Sequence, residues 1–263
     1  MKNVLSSFNM TVFAIAVGVL VANLYYAQPL LSEIALDLGV NAGQSGFLVT
    51  LSQLGYAGGV FFIVPLGDRT DRRNLISYML VLCTVALLGA TISPTLLTLS
   101  IASLVSGITS SATMVIIPYV ASHSDENTRG KSVGQVMTGL LLGILLARTV
   151  SGIIAELLSW RWMYFIAATA VALLAVLLRR IMIKDESHEV SLSYGKLLIS
   201  LGQLFRDESE IRWRGWFTLL GLGSFSVLWT GLTFLLSNPP YNYNTATIGL
   251  FGLIGGAGAL SAN

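Results

Sequence analysis

Eight stretches of this chain are apolar for long enough to cross a lipid bilayer: residues 10–31, 45–66, 75–92, 96–122, 132–157, 162–179, 214–237 and 246–263. A helix needs about 20 residues to traverse ~30 Å of hydrocarbon. The runs are continuously apolar, whereas strands of a membrane barrel alternate, so each reads as a helix and the chain as an all-α polytopic membrane protein. Composition agrees, with 11% charged residues in 263 against roughly 25% in a soluble domain. That excludes a cytosolic enzyme and a disordered chain. The first run is too long for a signal-peptide core and no clean cleavage site follows it, so it is expected to be retained.

The few charges orient the chain. Lys2, Arg69, Arg72, Arg73, Arg129, Lys131, Arg179, Arg180, Lys184, Lys196, Arg206, Arg212 and Arg214 fall in connections or at the run ends that border them on one side, Arg161 falls on the other, and Arg148 lies inside a run. Cytoplasmic loops retain Lys and Arg, so the N-terminus is expected in the cytoplasm and the protein in the cell inner membrane. Glu33 and Asp37 in the first outer loop agree. A net charge of +2, without a basic and aromatic cluster, gives no reason to expect nucleic acid. The expected organisation is a six-helix bundle over 1–179, a cytoplasmic linker over 180–213 and two further helices over 214–263. Within the linker, Tyr194, Leu197, Leu198, Leu201, Leu204 and Phe205 recur at helical spacing, as in an amphipathic surface helix. Two bundles joined by a basic linker suit a transporter. On topology alone, a polytopic protein with one long loop fits as well.

Short motifs favour the transporter. Pro65-Leu66-Gly67-Asp68-Arg69-Thr70-Asp71-Arg72-Arg73 lies between the second and third runs. It resembles the major facilitator superfamily signature G-x-L-x-D-R-x-G-R-R, which that family carries in this loop. Val64 and Asp71 stand where the signature has its glycines, leaving the tight turn at the second glycine unsupported. Further along, Ala147-Arg148-Thr149-Val150-Ser151-Gly152 occupies the place of the exporters' G-P-x-x-G-G, ahead of an outer Trp160-Arg161-Trp162. The stretch from Asn23 to Leu31 is similar to a sugar and drug efflux branch of the family. The resemblance implies the major facilitator fold, with Asp68, Arg69, Arg72 and Arg73 as a conformational latch against a neighbouring helix terminus. Gly252, Gly255 and Gly256 repeat Gly55, Gly58 and Gly59 at an offset of 197. The chain therefore reads as C-terminally truncated, with an incomplete second bundle, and is expected to be inactive alone.

Arg148 is the sharpest single residue, since an arginine at a membrane helix centre costs roughly 2.5–3.5 kcal/mol and needs a partner. Asn23 and Trp229 lie at similar depths in their runs, within about 5 Å of the same membrane level at ~1.5 Å per residue. Asn23, Tyr26, Gln53, Arg148 and Trp229 are the expected substrate or coupling residues. The bland alternative is a structural arginine tied to backbone carbonyls. Enzymatic readings find no support: Arg129-Gly130-Lys131-Ser132 lacks the first glycine of a P-loop, His123 and His188 lie far apart, and Cys83 is the one cysteine. No cofactor or metal is expected. The implied function is secondary active transport of small organic molecules, as efflux by alternating access. A non-transporting scaffold or remnant, and an uptake carrier of the same fold, are the alternatives. A proton is kept as a candidate coupling ion, although no carboxylate lies deep in any run and Ser103 stands where exporters often carry an arginine.

Overall fold

The computed structural model describes residues 6–184 and 193–260, with residues 255–260 described by backbone alone. Regular structure among them is entirely helical. In chain order the helices are α1 (Ser7–Ala22), α2 (Ala27–Leu38), α3 (Ala42–Phe62), a 3-10 turn (Val64–Asp68), α4 (Arg72–Thr91), α5 (Leu96–Ser110), α6 (Thr113–Ser122), α7 (Arg129–Leu157), α8 (Trp160–Ile181), α9 (Tyr194–Asp207), α10 (Ser209–Ser237) and α11 (Thr245–Leu260). Six continuous stretches are long and apolar enough to span a bilayer, and α1 with α2 makes a seventh. Within α11, Thr245–Ile254 is apolar but shorter than a span. The eighth expected run thus begins as a helix, but its final residues lie outside the described part.

The first span differs from expectation. Instead of one continuous helix, α1 and α2 meet at a 41° bend, with the residues from Asn23 to Tyr26 forming a turn between them. Pro29 accounts for the local geometry: it has no N–H to offer the Tyr25 carbonyl four residues back, and that carbonyl accepts from the Gln28 amide at 3.2 Å instead. Elsewhere polar residues close the ends. Asn41 and Gln44 form a reciprocal capping box at the start of α3, at 2.9 and 3.0 Å. Gly39 ends α2 in the left-handed region at φ 64°.

Membrane helices lack a hydrophobic drive toward one another, so close approach depends on small residues. A Cβ on Gly139 would stand 2.1 Å from the Ala14 carbonyl oxygen, and one on Gly143 2.2 Å from that of Gly18, so α1 lies directly on α7. Gly55 and Gly107 do the same between α3 and α5, with Leu104 and Ser52 carbonyls 2.3 and 2.1 Å away. Fully buried Phe13, Leu20, Leu30, Tyr119 and Trp160 fill the space enclosed by α1, α2, α6 and α8. The last helices join this body at one end: α11 runs along α7, where Thr149 donates to the Gly249 carbonyl at 3.0 Å, and Ser32 meets Ser237 at 2.8 Å between α2 and α10. No residue of α9 is buried; Tyr194 donates from its hydroxyl to the Phe62 carbonyl.

Candidate functional site

Glycines place Arg148. Gly139 and Gly143 bring α1, and with it the bend before α2, against α7. On the other flank, Gly249 lies so close that a Cβ there would stand 2.5 Å from the Arg148 carbonyl oxygen, and one on Gly252 would stand 3.2 Å from the Arg148 Cβ. The arginine is therefore enclosed on both sides and only 3% exposed.

Its guanidinium meets aromatic faces and one amide. Nε donates to Gln28 Oε1 at 2.8 Å, and Nη1 donates to the Ile144 carbonyl one turn back at 3.0 Å. The rings of Trp229, Tyr25 and Phe225 lie 4.5, 4.7 and 5.0 Å from the guanidinium carbon. A desolvated cation over an aromatic face is worth about 2 kcal/mol, so three rings offset much of the several kcal/mol that burying a charge costs. They do not supply an acceptor. Arg148 Nη2 and Gln28 Nε2 are both buried without a hydrogen-bond partner among the described residues, and no carboxylate pairs with Arg148 there.

Beside this cluster lies a cavity of about 960 Å³ between α3 and α10, whose wall includes Tyr25 and Phe225. Gln53 and Ser226 bridge it from opposite sides through bonds of 3.0 and 3.2 Å. Tyr56 lines it too and meets Thr113 at 3.2 Å. The volume is within the range of small-molecule pockets, about 300–1,000 Å³.

The five residues expected from sequence are divided by this geometry. Arg148 and Trp229 touch, and Gln53 borders the adjoining cavity. Asn23 points elsewhere, donating to Ser110 Oγ at 3.3 Å and Cys83 Sγ at 3.5 Å. Tyr26 lines a separate groove of about 450 Å³ between α1 and α7. Sequence reading overlooked Tyr25, Gln28 and Phe225. Tyr25 sits in the bend, where no helical period assigns it a face; Gln28 was signalled only by being a polar residue beside Pro29.

The charged loop between α3 and α4 is tied to its own neighbourhood. Asp68 pairs with Arg72 at 3.0 Å, Arg72 also reaches the Gly67 carbonyl and Ser122, and Arg73 donates twice to the Arg179 carbonyl near the end of α8, at 3.1 and 2.6 Å. Arg69 donates from its backbone amide to the Leu66 carbonyl at 3.0 Å, and its side chain makes no hydrogen bond among the described residues. Asp71, in the second glycine position, accepts from the Arg73 amide at 3.1 Å as the cap of α4, with φ −59°, so no glycine turn is made. At the opposite end Arg161 pairs with Asp37 and donates to the Ser93 carbonyl at 3.1 Å, while Trp160 bonds Glu33 and Asp37 at 3.1 and 3.2 Å. Glu156 accepts from Asn244 at 3.3 Å.

The profile of the Major Facilitator Superfamily matches residues 13–263. The uncharacterized transporter YgaY of Escherichia coli is 43% identical over 248 residues, which is 94% of this chain and 62% of that protein. SCO4007 of Streptomyces coelicolor, also named for transport, is 33% identical over 255 residues, 95% of this chain and 58% of that one. The chain thus spans about three fifths of the length of these relatives. Among solved structures, a D-xylose-proton symporter superposes with a TM-score of 0.63 at 16% identity, covering 94% of this chain and 65% of its own, a likeness of fold.

Proposed function

Because the chain belongs to the major facilitator superfamily, we propose that it supplies the first bundle and the opening helices of the second in a secondary active transporter that exports small organic molecules. The relatives named for transport agree with the class of function. The observation that carries the reading is the cavity of about 960 Å³ between α3 and α10, which abuts a buried arginine at the bend between α1 and α2. Broken helices that line a cavity are a recurring way to build a transporter site. In this reading Arg148, Trp229 and Gln53 serve substrate, and the two parts rock about the site. The basic connections face the cytoplasm of an inner membrane, as the distribution of Lys and Arg supports. Asp68, Arg69, Arg72 and Arg73 brace the cytoplasmic end, with Arg73 on the end of α8 as the firmest tie. A proton is the proposed coupling ion.

The test is transport in vesicles carrying the complete transporter, energised by a proton gradient, with fluorescent or radiolabelled candidates followed in both directions. Hydrogen bonds to charged groups contribute about 1.5–3 kcal/mol, so Arg148→Ala is expected to slow transport by about 10- to 100-fold while the protein still reaches the membrane. Unchanged transport by Arg148→Ala removes the arginine from the site, and net movement inward reverses the direction.

A further inference from the structure

The charge the cavity selects is legible in what its walls lack and in what lies behind them. Its lining carries no Asp, Glu, Lys or Arg. Arg148 is in contact with two lining rings, Tyr25 and Phe225. Behind those rings two donors are unused: Arg148 Nη2 and Gln28 Nε2, on side chains 3% and 1% exposed. They belong to neighbouring groups, because Gln28 Oε1 already accepts from Arg148 Nε at 2.8 Å. Buried donors are seldom left unmade, since each costs roughly 1–3 kcal/mol. Two adjacent donors, one of them charged, are the complement of a two-oxygen acid group.

A cationic substrate fits poorly. The aromatic cage that would hold it is already filled by the protein's own guanidinium. The covering rings also come from the two parts that must move: Tyr25 from the bend after α1, Phe225 from α10, meeting edge to face at 6.2 Å. Separating these parts would uncover the donors.

We propose that the cavity takes a small organic monoanion, an apolar body bearing a carboxylate, with its oxygens received by Arg148 Nη2 and Gln28 Nε2 once Tyr25 and Phe225 part. This rests on the reading of the cavity as the substrate site. Binding to the purified full-length transporter in detergent is measured by calorimetry with three probes of one shape: naphthalene carboxylate, naphthalene carboxamide and naphthylmethylammonium. At neutral pH the carboxylate is expected to bind about tenfold or more tightly than the amide, and the ammonium least. Arg148→Gln and Gln28→Leu, each checked for folding by gel filtration and circular dichroism, are expected to lower the affinity for the carboxylate about tenfold, toward that of the amide, and to lower the affinity for the amide far less. A purely structural arginine would weaken all three probes alike. Equal binding of amide and carboxylate, or preference for the ammonium, overturns the anion proposal and leaves the cavity reading in place. Retention of the carboxylate preference by both variants also overturns it. Failure of every probe to bind the unaltered protein defeats both.

Discussion

At the scale of single residues, Arg148 shows how a membrane protein retains a charge without a counter-charge in contact. Two hydrogen bonds and three rings surround it, and two of the rings come from α10, more than seventy positions along the chain. Trp229 has the closest ring. Trp229→Ala removes both a cation–π contact and buried volume, for an expected loss of about 3 kcal/mol, while Trp229→Phe keeps a ring and should lose about 1 kcal/mol. Melting in detergent distinguishes them. Arg148 and Trp229 were legible in the sequence because a lone arginine in an apolar run and a tryptophan at similar depth stand out. Gln28 was not, because its partner is 120 positions away and only the bend turns it toward α7. Asn23 shows the converse: depth in a run does not give the face, and its amide turns toward Ser110 and Cys83.

At the scale of elements, spans were legible because apolar runs must be about 20 residues long. The bend between α1 and α2 was hidden, since hydrophobicity continues through it and Pro29 is its main sign. Small residues permit close packing of membrane helices, but the sequence does not say which helix fills each glycine face. Gly143 faces the backbone of α1 and Gly134, in the same helix, faces open space. Gly143→Val is therefore expected to destabilise the protein by about 3 kcal/mol or more, whereas Gly134→Val should stay within about 1 kcal/mol. Thermal unfolding of the two variants in one detergent compares them directly.

At the scale of the whole molecule, the contacts between the first eight helices and the last two are concentrated away from the basic connections. Ser32 meets Ser237, Thr149 bonds Gly249 and Asn244 bonds Glu156. The charged loop at the basic end bonds α8 and Ser122. This arrangement is closed at one end, and the proposed alternation about Arg148 would require that end to part. Arg161 with Asp37 and Trp160 with Glu33 tie α8 to α2 at that end. The fold class was readable from the runs and the loop motif. The choice of which end is closed was not, because it depends on contacts between helices far apart in the chain.

The central claim, movement of the two parts about a site at Arg148, is tested most directly by joining them. Ser32 and Ser237 lie 2.8 Å apart between hydroxyl oxygens, and the one native cysteine, Cys83, is fully buried. Ser32→Cys combined with Ser237→Cys in the complete transporter is expected to form a disulfide under mild oxidation and to stop transport, and reductant should restore it. Transport that continues at its original rate with the disulfide fully formed would contradict the account.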